Sequence, residues 1–129
     1  MLAEKLILDY LSKVLPDILV TLETSTDSNY VLIERVGGLE SDGVARVSFA
    51  IQSYGKTLLE ACALNDRVKS AMRNIINLNP VSKVDLDSDY NWTDETTKKY
   101  RYQAVYDLVL FLCNLFLDSP IKKRTKTLF

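Results

Sequence analysis

The sequence predicts an α+β domain: a mostly antiparallel sheet of about five strands with two helices on one face. Three observations predict it. Residues 44–54 alternate, with Val47, Phe49 and Ile51 on one side and Arg46, Ser48 and Gln52 on the other. That is the period of a strand with one buried face. Residues 57–79 carry an apolar stripe at helical steps behind a capping signal, as an amphipathic helix does. Residues 84–92 alternate again. The predicted order is α-β-β-β-α-β-β, closing on a long C-terminal hairpin.

Residues 2–15 read as an amphipathic helix, with Leu2, Leu6, Ile7, Tyr10, Leu11 and Val14 on one face, stopped by Pro16. Ile18 to Leu22 follows as a short strand with Ile18, Val20 and Leu22 inward, and residues 23–29 are polar and loop-like. Tyr30 to Val36 is rich in β-branched and aliphatic residues and reads as a strand. Gly37-Gly38 supplies positive φ without steric cost, which fits a turn or a bulge at that strand's end. Asp42-Gly43 is a second turn signal. A seven-residue hairpin loop from Gly37 to Gly43 is the expected connection.

The helix opens on Thr57-Leu-Leu-Glu60. In such a capping box the Thr hydroxyl accepts from the Glu amide, and the Glu carboxylate reaches back to the Thr amide. Leu58, Ala61, Cys62, Val68, Met72, Ile75 and Ile76 form the stripe, and Asn79-Pro80 ends it. In the next strand Val84, Leu86, Tyr90 and Trp92 share one side, while Lys83, Asp85, Asp87, Asp89 and Asn91 share the other. The final strand starts at Tyr100. Tyr102, Ala104, Tyr106, Leu108 and Leu110 face one way, and Val109 and Phe111 face the other. Fully extended, residues 100–116 would span roughly 50 Å, against a radius of gyration of about 14 Å for a domain this size. This strand therefore ends near Leu112, or its hairpin projects and pairs with a neighbour.

Residues 1–117 are expected to form one domain, and 118–129 a basic tail, with Lys122, Lys123, Arg124 and Lys126. The tail reads as flexible and solvated; as an arm it would lie on an acidic neighbour or near passing DNA. Apolar content is 47%, charged content 26% and the formal net charge −1, which lacks the basic excess of a dedicated nucleic-acid binder. Cys62 and Cys113 are expected to be buried free thiols. The start of the chain does not read as a signal peptide, and the apolar run from Leu108 is half a membrane span, so no membrane is expected.

Asp85-Leu-Asp-Ser-Asp89 is the one constellation with a chemical look. It begins like a calcium loop, but Tyr90 replaces the required glycine and Thr96 the closing acid. The preferred reading is an acidic stripe on one strand face, partly offset by Lys98, Lys99 and Arg101 across the hairpin. The chain has no histidine, which removes the usual base for a Ser or Cys nucleophile. No Gly-rich phosphate loop occurs. The tyrosines of the last strand read as packing, since no basic platform surrounds them. The expectation is a non-enzyme with no metal and no cofactor.

One resemblance runs through the chain. Arg35-Val-Gly-Gly38, the alternating strand ending in Tyr54, the helix with Leu58-Leu-Glu-Ala61 and Arg67-Val68, then Asp89-Tyr-Asn-Trp-Thr-Asp94 and Tyr100-Arg-Tyr-Gln103 occur in this order. Over roughly residues 30–112 this resembles the tail-terminator, or tail-completion, proteins of long-tailed bacteriophages. The chain departs from their pattern at Tyr54-Gly55, where Trp-Ala is expected. The resemblance implies a structural virion protein, made in the host cytoplasm, that caps the tail tube and joins it to the head. It implies homo-oligomeric rings, usually hexameric, with the tail tube protein and head-tail connector proteins as partners. DNA would pass through the lumen without specific binding.

A ring needs two different patches per protomer. The candidates are Arg35 with Arg46, the acidic face of Asp85, Asp87 and Asp89 with Arg101 opposite, and the outer face of Val109 and Phe111. The aspartates would line the lumen. Other readings are a different neck or head-closure protein, a small metal-dependent nuclease using Asp85–Asp89, and a cytosolic adaptor.

Overall fold

A computed structural model describes residues 3–111. The chain is α+β, in the predicted order. Helix α1 spans Ala3–Val14, strand β1 Leu19–Thr21, β2 Tyr30–Ser41 and β3 Val44–Gly55. Helix α2 spans Leu58–Arg73 and runs into a 3-10 turn at Asn74–Asn77; β4 is Val81–Asn91 and β5 Tyr100–Phe111. The sheet order is β1-β2-β3-β5-β4. It is mixed, because β1 runs parallel to β2 while every other pair is antiparallel.

Both helices pack on one face. Ile7 and Leu11 of α1, and Leu64, Val68 and Met72 of α2, join Val31, Ile33, Val47, Phe49, Ile51, Ala104, Tyr106, Leu108 and Leu110 in a single core. Ala104, Tyr106, Leu108 and Leu110 of β5 face this core, as the alternation predicts, while Tyr102 is only half-buried. Phe49 is fully buried at its centre; truncating such a ring typically costs 3–5 kcal/mol, so about 4 kcal/mol of stability rests on it. Tyr10 donates its hydroxyl to the Ala71 carbonyl at 2.6 Å, tying α1 to α2. Arg67 adds a fork onto Asp17, with Nη2 2.7 Å from Oδ1 and Nη1 3.1 Å from Oδ2. That bond holds the Asp17 carboxyl below its ordinary range.

The first hairpin differs from expectation. Of the two readings of Gly37-Gly38, the bulge holds and the turn does not: β2 runs through it, with Val36 as an extra residue where the register shifts between Arg35 and Gly37. Among the described glycines only Gly43 has positive φ, at 77°. The turn is the two-residue Asp42-Gly43, with Asp42 at φ 54°. Two successive positive φ values match the twist of a tight hairpin, and Asp-Gly suits them. The seven-residue loop is therefore replaced by paired strand, with Leu39 opposite Arg46 and Ser41 opposite Val44.

Helix α2 starts as predicted, with the Thr57 hydroxyl accepting from the Glu60 amide at 3.1 Å. The return half of the box differs. Glu60 accepts from the Thr57 hydroxyl at 3.2 Å and from Asn29 Nδ2 at 3.0 Å. Leu58 and Ile76, assigned to the stripe, are exposed, whereas Leu64 and Asn65 are buried. The N-terminal strand is also shorter than predicted: Val20 is buried but Leu22 is exposed. Val14, assigned to the apolar face of α1, is 40% exposed at the helix end. Cys62 is a free thiol and half-buried rather than buried. Cys113 and the basic tail lie outside the described residues. No described helix is long and apolar enough to cross a membrane.

Candidate functional site

The sheet face opposite the helices is the candidate surface, and register places its side chains in rows across four strands. At the hairpin end Leu39, Arg46, Val109 and Lys83 lie side by side. The next row is Gly37, Ser48, Asp107 and Asp85, followed by Glu34, Ala50, Val105 and Ser88. Then come Leu32, Gln52, Gln103 and Tyr90, and finally Tyr30, Tyr54 and Arg101 with Trp92 beside them. No helix among the described residues covers this face. Leu39 is 66% exposed, and Phe111 and Trp92 are about four-tenths exposed.

The last two rows form one directional network. Arg101 Nη1 donates to the Tyr54 hydroxyl at 3.1 Å, which donates to Gln52 Oε1 at 2.8 Å. Gln52 Nε2 donates to Gln103 Oε1 at 3.0 Å, and Gln103 Nε2 donates to the Tyr90 hydroxyl. Both glutamines are buried, so each amide must be satisfied by its neighbours. The Tyr30 and Tyr54 rings stack at 4.4 Å between centroids. The Arg101 guanidinium lies 4.6 Å from the Trp92 ring centroid and donates through Nε to the Trp92 carbonyl at 2.7 Å. A network of this kind rigidifies the face and fixes strand register.

The residues proposed from sequence do not converge. Arg35 and Arg46 point to opposite faces, because Arg35 pairs with core-facing Phe49 while Arg46 lies on the open face. Arg35 instead faces Glu4 of α1, with Nη1 3.7 Å from the carboxylate, and its guanidinium lies across Gly38. Val109 and Phe111 do stand on the open face. Arg101 is there too, engaged with Tyr54 and Trp92 rather than with the aspartates.

The acidic stripe is broken. The β4–β5 register shifts between Leu86 and Ser88, leaving Asp87 as the extra residue of a bulge. One added residue inverts the alternation beyond it. Asp85 thus stays on the open face, opposite Asp107 and 3.4 Å from Lys83 Nζ. Asp89 turns to the helix side, opposite Ala104, where its carboxylate accepts from Asn65 Nδ2 at 2.7 Å and Lys69 Nζ at 2.6 Å. Burial pushes the Asp89 carboxyl up, but the Lys69 and Asn65 bonds outweigh it and leave the group below the ordinary carboxylate range. The Asp89 bond in turn raises the Lys69 ammonium. Among the described residues no three His, Cys, Asp or Glu side chains gather to hold a metal ion. Lys98 and Lys99 lie at the far turn, away from Asp85.

Sequence reasoning missed the glutamine–tyrosine network. Gln52 and Tyr54 share a face by alternation, which is legible. The facing of Gln52 and Gln103 depends on register, which is not. No protein-family model and no curated protein matches the chain.

Proposed function

We propose that this protein is a structural assembly protein that works through copies of itself, as the resemblance to phage tail terminators implies. The reading is a ring that caps a tail tube and joins it to a head, with no catalysis. The observation that carries it is the half-covered sheet. Leu39 and Phe111 stand exposed at one end of the face without helices, and Tyr90 and Trp92 at the other, which gives two separate apolar patches of the kind a head-to-tail ring contact uses.

The β2–β3 hairpin supports the same reading. From Glu34 to Gly43 its β2 arm is exposed on both faces, while the β3 arm opposite is buried at Ala45, Val47 and Phe49, so this length of β2 is a free sheet edge. Strand β1 covers only Tyr30 to Leu32 of β2, and β4 forms the opposite edge. Two unlike edges suit the head-to-tail contact from which rings are built. The Asp85–Asp89 stripe no longer supports a lumen lining, since its members point in different directions. That separation also counts against the nuclease reading.

Electron microscopy of the purified protein tests this function. Annuli with a central channel are expected. Dispersed monomers that cleave DNA in the presence of Mg²⁺ would overturn the reading.

A further inference from the structure

We propose that the cleft at the junction of β3 and α2 binds the phosphodiester backbone of nucleic acid. The cleft has a volume of about 440 Å³ and brings together Lys56, Lys98 and Lys99 with Tyr100, against a single carboxylate, Asp27. These lysines come from two distant segments, so no basic run in the sequence announces them.

Two nearby carboxylates, Glu60 and Asp94, are occupied elsewhere. Glu60 is held by Thr57 and Asn29. Asp94 accepts from the Thr96 amide at 3.0 Å and the Thr97 amide at 3.4 Å, within its own turn. Glu95 reaches Lys98 only at 3.8 Å, and both side chains are largely exposed. Lys56 and Lys99 have no carboxylate partner among the described residues.

The chemistry favours a phosphate chain over a small anion. Flexible ammonium groups act on phosphates as point charges, and serine and threonine hydroxyls also contact phosphate oxygens. Ser28 and Thr26 supply such hydroxyls on the cleft wall. Tyr100 is half-buried beside the lysines and offers a ring on which an unpaired base can stack. Contacts of this set to phosphate oxygens carry no sequence information, so binding is expected to be independent of sequence.

Fluorescence polarisation with labelled duplex and single-stranded DNA of mixed sequence tests the inference. Binding should weaken with added salt, with a slope in log K against log salt of about −2 to −3 for three contacts. Lys56→Gln, Lys98→Gln and Lys99→Gln combined should weaken it at least tenfold, a fold-change set by losing all three charges. The three Lys→Arg changes should preserve it, and both variants should melt like the parent. Equal binding by the Gln variant, no binding at low salt, or tighter binding of an acidic peptide than of DNA would overturn the inference. A monomer carries the whole cleft, so a failure to form rings leaves this inference standing.

Discussion

The Lys69 ammonium lies 2.6 Å from the Asp89 carboxylate, and this contact joins α2 to β4 across the core face. Asp66 stands 3.3 Å from the same nitrogen. Asp89 and Lys69 are about one quarter and one fifth exposed at the side chain, so the pair is shielded from solvent more than a surface ion pair.

Asp89→Asn should therefore destabilise the fold by about 1–2 kcal/mol at neutral pH. The folded Asp89 carboxyl lies below its ordinary range. Its contribution is present above the unfolded value of about 3.9 and is lost as pH falls through the folded value. Urea unfolding at neutral and acidic pH checks this. The parent and the variant should differ at pH 7 and converge as the carboxylate of the parent protonates.

Arg101 stacks on the only tryptophan of the chain, Trp92. Arg101→Ala should cost about 1–2 kcal/mol, from the lost stacking and the bonds to Tyr54 and the Trp92 carbonyl. Arg101→Lys should recover little, because an ammonium lacks the planar fork. Trp92 fluorescence should shift in both variants, which denaturation curves read through the same signal.

Gly55 lets the end of β3 meet the first turn of α2. An added Cβ would lie 2.8 Å from Ala61 Cα and the Glu60 carbonyl carbon, which are backbone atoms and cannot rotate away. Gly55→Ala should lower stability by about 1–3 kcal/mol through overpacking. Gly43→Ala meets no atom within 4 Å but sits at φ 77°, so its smaller cost, about 1 kcal/mol, is conformational. Thermal melts of the two variants should rank in that order.

Much of this fold is legible in the sequence. The alternation in residues 44–54 and the Thr57 cap predict β3 and the start of α2, and the odd-even split of β5 places Val109 and Phe111 outward. What period and composition do not carry is register. The bulge at Val36 converts an expected Gly-Gly turn into paired strand, and the bulge at Asp87 sends Asp85 and Asp89 to opposite faces. The first bulge has Gly37-Gly38 beside it as a signal that also fits a turn, and the second, at Leu86-Asp87-Ser88, has none. The cleft lysines are silent as well: Lys56 meets Lys98 and Lys99 only through the folding of the sheet.

Native mass spectrometry across a range of protein concentrations tests the central claim most directly. Self-association through the open face predicts a closed homo-oligomer, six copies by the resemblance. Leu39→Glu, on the exposed edge of β2, should reduce it to a monomer that keeps the circular dichroism spectrum of the folded parent. A monomer at every concentration, or an oligomer indifferent to Leu39→Glu and to Phe111→Glu, would contradict the account.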